Sequence, residues 1–368
     1  MMKLMPYLVL VAFLAVLTTS IIYISRKFSW ILGFENVSPF YWLFSLIPVY
    51  FLTAGIVLTN ATGTIGHIFY KIAAVMMGVY LFLVLSFLVI DLIGIFYKFT
   101  PINFGIAGIG LAILVSIFGY WNGANTKITP VTIPMSGLTK QVQAVHLTDI
   151  HIGHFRTNGF LQKIVDKTNA QNPDIIFLTG DYLDSKYALN KKSFEPLKQL
   201  KAPVYFVDGN HDHATHNDSI VALMKQVGVN VLENESDSFG ELQIIGLTHM
   251  IADRNTFDMH ASENNPTIEE TLPQLNISKD KPSVLLHHAP NGVKYASEHG
   301  VDLYLAGHTH AGQIFPFNLL ANLVFDYNRG LHQFENTSMF VSEGVGTFGP
   351  PFRIGTKSEI ISLTLQPV

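Results

Sequence analysis

The stretch Gln143-Ala144-Val145-His146-Leu147-Thr148-Asp149-Ile150-His151 decides how this chain is read. Its first half belongs to an apolar, β-branched run over residues 141–148 that predicts a short strand, and its second half turns polar where that strand would end. Asp149 and His151 stand two positions apart, so in an extended segment both side chains face the same way and can grip one ion together. The same shape recurs downstream. Ile175-Ile176-Phe177-Leu178 runs into Thr179-Gly180-Asp181; a strand from Pro203 runs into Asp208-Gly209-Asn210-His211-Asp212; Ser283 to His287 leads to His288; and Asp302 to Ala306 leads to Gly307-His308-Thr309-His310. Gly180 permits a tight turn that presents Asp181 where a carboxylate can bridge two ions. Further strands are expected over residues 243–247 and 339–342. Oxygen and nitrogen donors without thiolate, repeated at strand ends, suit a pair of divalent cations holding a phosphate ester.

Helical signals fall between several of these strands. Phe160, Leu161, Ile164 and Val165 form a one-sided stripe with Asn158 as the expected cap, and Ile220, Leu223, Met224 and Val227 form another, stopped by Gly228. Thr267 with Glu270 is a capping-box signature. Strands alternating with helices, with polar groups collected beyond the strand ends, predict an α/β sandwich of mixed sheets.

Outward from this part the composition shifts. The chain has 368 residues, 49% of them hydrophobic, and a mean hydropathy of +0.32, too apolar for an average soluble enzyme. The excess is concentrated in residues 5–24, 40–58, 72–90 and 104–121, four uncharged stretches of roughly 18 to 20 residues, each long enough to cross a bilayer as a helix. Trp30, Trp42 and Trp121 stand near their ends, where amphipathic rings prefer the headgroup level. A signal peptide is a poorer reading of the first stretch, because Leu17-Thr18-Thr19-Ser20-Ile21-Ile22 offers no clean cleavage site. The expected organisation is a transmembrane region over residues 1–127 and a catalytic domain over 128–368, with Pro130 and Pro134 in an extended linker between them. Asp91 is read as an interfacial residue near Lys98, and Gly105, Gly108 and Ala112 as close helix packing.

Four spans put both termini on one side of the membrane. Lys3, Lys71, Lys127 and Lys140 fall on that side and Arg26, Lys27 and Lys98 on the other, a count that leans towards a cytoplasmic catalytic part. Six of the 23 basic and two of the 27 acidic residues precede residue 128, leaving 17 against 25 and a formal charge of −8 on the second part. That sign gives no support to nucleic-acid binding. Cysteine is absent, so neither disulfides nor thiolate ligands enter, and all 15 histidines but His67 lie after residue 140.

In order from Asp149 to His310, the series Asp-x-His, Gly-Asp, Gly-Asn-His-Asp, His, Gly-His-x-His resembles the calcineurin-like metallophosphoesterase superfamily over the whole second part. The runs Gly307 to Gln313, Tyr327 to Leu331 and Val341 to Thr347 are most similar to its membrane-associated bacterial branch. The resemblance implies a four-layer sandwich of two mixed sheets flanked by helices. It implies that Asp149, His151 and His310 hold one metal, that Asn210, His288 and His308 hold a second, and that Asp181 bridges them. Family members usually carry the fourth-motif ligand two residues before a proline, so Pro290 selects His288, with His287 in reserve. The resemblance further implies in-line attack on phosphorus by a hydroxide bridging the metals, with His211 donating a proton to the leaving group and Asp212 orienting it. The donor set suits manganese first, then iron or zinc. His146, His154, His213, His216, His249, His260, His299 and His332 are read as structural or surface groups.

The expected partner is a phosphate-ester substrate, and the expected setting is membrane lipid. Related enzymes make a lipid-linked phosphodiester or pyrophosphate such as UDP-2,3-diacylglucosamine a specific candidate. The apolar run from Ile314 to Phe325 is either a wall for an acyl chain or bilayer, or an ordinary core element. Arg156, Arg254, Arg329 and Arg353 are candidates for further anionic groups. The rival reading is a non-catalytic membrane-anchored binding module that retains the fold; such descendants usually lose ligands, and here all seven metal positions are present.

Overall fold

A computed structural model describes residues 5–256 and 266–368, so Lys3 and His260 lie outside the described residues. The chain falls into two compact units, one of Met1–Trp121 with Gly349–Phe352, the other of Asn122–Phe348 with Arg353–Val368.

The first unit is four helices, α1 (Met5–Leu32), α2 (Ser38–Val57), α3 (Thr64–Gly94) and α4 (Pro101–Ala124), each long and apolar enough to cross a membrane. They extend beyond the uncharged stretches because the flanking polar residues continue the helices. Asp91 therefore meets Lys27, which forms an ion pair with it, and Tyr23, whose hydroxyl donates to it at 2.6 Å. Lys27 is the cation that pairs with this acid. Small residues do mark close packing: a Cβ on Gly108 would fall 2.4 Å from the Phe87 ring, and Ala112 is buried. The three tryptophans are exposed in terminal turns of α1, α2 and α4.

The second unit contains β1 (Lys127–Met135), β2 (Val142–Leu147), α5 (Asn158–Asn169), β3 (Ile175–Thr179), β4 (Val204–Val207), α6 (Asn210–Thr215), α7 (Asn217–Gln226), β5 (Asn230–Val231), β6 (Glu235–Phe239), β7 (Leu242–Gly246), α8 (Ile268–Thr271), β8 (Ser283–Leu286), α9 (Val293–Glu298), β9 (Leu303–Ala306), α10 (Phe317–Val324), β10 (Gly330–Phe334), β11 (Thr337–Val341) and β12 (Glu359–Pro367). One sheet has the order β1-β12-β2-β3-β4-β5 and the other β10-β11-β9-β8-β7-β6. Both are mixed: β2 to β5 run parallel, as do β7, β8, β9 and β11, while β12 pairs antiparallel with β2, β6 with β7, and β10 with β11.

Period-2 alternation sends half of each central strand to either side. Ala144, Phe177, Tyr205, Ile244, Leu286 and Leu305 meet between the sheets. Val145, Ile176 and Phe206 pack outward beneath Leu161 and Ile164 of α5 and Ile220 of α7, whereas Leu285, Tyr304 and Met339 pack beneath Ile268 and Val293. Two sheets with a helical layer outside each make the four-layer α/β sandwich.

Two local expectations change. The Pro130–Pro134 linker is instead part of β1, at the edge of its sheet and parallel to β12. An edge strand tolerates prolines because one row of its backbone groups has no ladder partner to lose. Asn158 is the first residue of α5, and Thr157 takes the extended cap position. The Thr267–Glu270 capping box forms at the start of α8, with Thr267 N donating to Glu270 Oε2 at 3.0 Å and Glu270 N to Thr267 Oγ1 at 3.2 Å.

Candidate metal centre

Five parallel strands deliver the site. Asp149 and His151 follow β2, Asp181 follows β3, Asn210 and His211 follow β4, His288 follows β8, and His308 and His310 follow β9. The backbone bends sharply there. Asp149, His151, Asp181, His308 and His310 all adopt positive φ, between 47° and 72°, a left-handed region that costs a non-glycine residue energy and clusters at functional sites. Two glycines let the loops close. A Cβ on Gly307 would lie 2.2 Å from Asp149 Oδ2, and one on Gly209 would lie 2.2 Å from Asp181 Oδ1.

The bends bring the seven expected side chains together in two groups. In one, His310 Nε2 lies 3.2 Å from Asp149 Oδ1 and 2.9 Å from His151 Nε2. In the other, His288 Nε2 lies 3.1 Å from Asp181 Oδ2 and 3.3 Å from His308 Nδ1, and His308 Nδ1 lies 2.9 Å from Asn210 Oδ1. Asp181 Oδ2 is also 3.8 Å from His151 Nε2, so this carboxylate reaches both groups. Asp149, His151, Asp181, His288 and His310 are buried.

Burial alone would push both carboxyls up, yet His310, His151 and His288 around Asp149, and His288, His211 and His151 around Asp181, hold them well below the usual carboxylate range. Two buried anions ringed by imidazole nitrogens fit divalent cations. One outer nitrogen fits as well. His288 Nδ1 donates to Thr179 O at 2.8 Å, leaving Nε2 with its lone pair directed among the donors. His287 faces elsewhere: its Nδ1 lies 2.9 Å from Ala289 O and 2.8 Å from the Tyr304 hydroxyl, and its Nε2 accepts from Met250 N.

His211 borders the first group, with its ring centroid 4.8 Å from that of His151, and its side chain stays partly open to solvent. Its Nδ1 lies 2.9 Å from Asp184 Oδ1, and Asp184 also approaches His151 Nδ1 at 3.3 Å. Burial opposes protonation of His211, but Asp181 and the Asp184 hydrogen bond outweigh it and raise its pKa. Asp212, expected to orient His211, does not touch it. Its carboxylate accepts backbone N–H groups from Gly209, Tyr182 and Leu183, tying the β3 and β4 loops together. An aspartate one residue along a helix points away from its neighbour, whereas Asp184 arrives from the loop after β3.

His249 and Arg353 both depart from their expected roles. The His249 ring lies 5.9 Å from that of His288 and 6.2 Å from that of His308, which moves it from the structural set to the border of the site. Arg353 is fully buried and therefore cannot reach a substrate anion; it donates to Glu343 O and Gly346 O and sits 3.0 Å from His310 Nδ1. Arg156 is likewise buried and donates to Gly123 O, and Arg254 pairs with Glu270. Neither had a sequence signal beyond its charge.

The model for calcineurin-like phosphoesterases matches residues 143–312, which contain all seven converging side chains. A Helicobacter pylori protein named an uncharacterized metallophosphoesterase is 34% identical over 268 residues, covering 70% of this chain and 70% of the relative. The chain belongs to the metallophosphoesterase family. This metallophosphoesterase is also 31% identical over 270 residues to the Danio rerio transmembrane protein with metallophosphoesterase domain, covering 69% of this chain and 60% of that one. Among solved structures, the Haemophilus influenzae NAD nucleotidase aligns over 56% of this chain and 45% of its own, with a TM-score of 0.36 at 16% identity. By class the metallophosphoesterase is a metal-dependent enzyme of phosphate esters.

Proposed function

We propose that this chain is a membrane-anchored two-metal phosphohydrolase that cleaves a phosphodiester, phosphomonoester or pyrophosphate. The observation that carries the reading is Asp181, whose Oδ2 lies 3.1 Å from His288 Nε2 and 3.8 Å from His151 Nε2 and so faces both groups of donors. Asp149, His151 and His310 would hold one ion, Asn210, His288 and His308 the other, and Asp181 both. When bound, such a pair supplies Lewis acidity that activates water and neutralises charge on the phosphoryl oxygens. Manganese is the first candidate, ahead of iron and zinc.

The chain's own residues do the rest. His211, with Nδ1 engaged by Asp184, keeps Nε2 available to pass a proton to the departing oxygen. Asp184 fixes the orientation of that ring. Asp212 contributes by fastening the loops that carry Asp181 and Asn210.

The anchor is residues 1–127 and the catalytic domain residues 128–368, on the cytoplasmic face by the balance of four lysines against three basic residues. A lipid-linked substrate such as UDP-2,3-diacylglucosamine fits two features. A cavity of about 490 Å³ opens beside His308, lined by Val324, Phe325, Tyr295 and Tyr327 together with Asp253 and Asn291, and an exposed apolar helix, α10, adjoins it. The test is hydrolysis of bis(p-nitrophenyl) phosphate by the detergent-solubilised full chain with Mn²⁺. Turnover that stops with chelator, with Asp181→Asn and with His211→Ala supports the reading, and turnover indifferent to all three rejects it.

A further inference from the structure

The run from Ile314 to Phe325 contains no charged residue, and beyond the buried Ile314 and Ala321 most of its apolar side chains are not core. Leu319 and Leu320 are each 54% exposed, Leu323 83% and Val324 62%, and Phe317 is exposed as well. Ala321 is the side chain the helix buries and the half-buried Asn318 amide lies against Gly355, while the leucines are exposed, as is Asn322, which accepts from Asn328 at 2.6 Å. A row of exposed leucines on one short helix, rather than isolated apolar residues, marks an interaction surface.

We propose that the outward face of α10 seats in the lipid bilayer, against the acyl chains and headgroup boundary. Three observations select lipid as the occupant. The connection between α4, which ends at Ala124, and β1, which begins at Lys127, is two residues, Asn125 and Thr126, a reach of about 7 Å. If the four apolar helices span a membrane, the second unit is held at its surface, where lipid is always at high effective concentration. The face is uncharged and aliphatic with Phe317 at its start, matching the apolar side of an interfacial helix. The helix is eight residues long, a face too short by itself to bury the ~800 Å² per partner of a stable protein interface.

The placement has a consequence for access. Val324 and Phe325, at the end of the same helix, line the cavity beside His308, and the Phe325 ring is 5.9 Å from the His308 ring. A lipid phosphate ester leaving the bilayer along this helix would enter the cavity beside His308. This inference rests on the membrane-anchor part of the proposed function, so its test carries a separate reference for the anchor.

The natural chain has no cysteine, so single-cysteine variants can be labelled at one site. The full chain carrying a fluorophore at Leu320→Cys or Leu323→Cys is placed in phosphatidylcholine–phosphatidylglycerol vesicles, with and without nitroxide on the acyl chains. Val79→Cys, in the middle of α3, reports the anchor, and Glu233→Cys reports an aqueous surface. The expected result is loss of fluorescence to nitroxide lipid at positions 320, 323 and 79, and none at 233. Labels at 320 and 323 that stay bright while the label at 79 is quenched overturn the proposal and leave the anchor standing. A label at 79 that stays bright overturns both. Fluorescence at 320 lost only when labelled copies are concentrated assigns the face to a second copy and overturns the bilayer assignment.

Discussion

Replacing Asp184 by Asn separates two carboxylates that stand close together in the sequence and do different things in the fold. Asp184 Oδ1 lies 2.9 Å from His211 Nδ1 and 3.3 Å from His151 Nδ1. It therefore orients the partly exposed imidazole and backs a buried one. A hydrogen bond to a charged group contributes about 1.5–3 kcal/mol, and at about 1.4 kcal/mol per decade that becomes a loss of about 10- to 150-fold in kcat, provided the contact is felt in the transition state rather than in binding. The His151 contact adds a second effect, a weakening of metal retention of about 10- to 100-fold. The two separate by titration: Mn²⁺ is raised until the rate with bis(p-nitrophenyl) phosphate saturates, and the deficit that persists at saturation belongs to His211. Asp212→Asn is the comparison, because Asp212 receives backbone N–H groups and no imidazole. Its loss appears as a lower melting temperature, with kcat of the folded protein falling less than in Asp184→Asn. Wild-type kcat for Asp184→Asn at saturating Mn²⁺ would refute the assignment of His211 to this partner.

Gly307→Ala places a Cβ 2.2 Å from Asp149 Oδ2; restoring ordinary contact requires a shift of about 1 Å, and a displacement of that size costs about 100-fold in turnover, measured with the same diester. Asp181→Asn removes the charge shared by both donor groups, and bound manganese measured by elemental analysis falls below two ions per chain, whereas two retained ions would exclude the bridging role. Arg353→Met strips donors from Glu343 O and Gly346 O in a buried loop, and thermal unfolding reports a destabilisation of about 3 kcal/mol. Removing metal with chelator lowers the melting temperature reversibly, because ions that bind only the folded state stabilise it by mass action; an unchanged transition on chelation argues against bound ions.

The strands that carry ligands were legible because two signals coincided in each, an apolar run and an abrupt polar end. β2, β3, β4, β8 and β9 are all of this kind. β1 was not legible: Pro130 and Pro134 read as a linker, and only pairing with β12, more than two hundred residues away, makes that segment a strand. The apolar run of α10 showed its composition but not its direction, since core and surface helices of leucine look alike until the fold fixes which side is covered. Asp184 and His249 escaped for a related reason. Neither belongs to a spaced motif: Asp184 reaches the centre through the loop that follows the left-handed turn at Asp181, and His249 through the loop after β7. Asp212 misled by adjacency, because neighbours in sequence diverge on a helix.

The most direct test is a crystal structure of the full chain soaked with Mn²⁺, with anomalous differences recorded at the manganese edge. Two peaks about 3.5–4 Å apart, with the Asp181 carboxylate between them and Asp149, His151, His310 on one side and Asn210, His288, His308 on the other, are the expected result. A lone peak remote from Asp181, or no peak within reach of these seven side chains, contradicts the account.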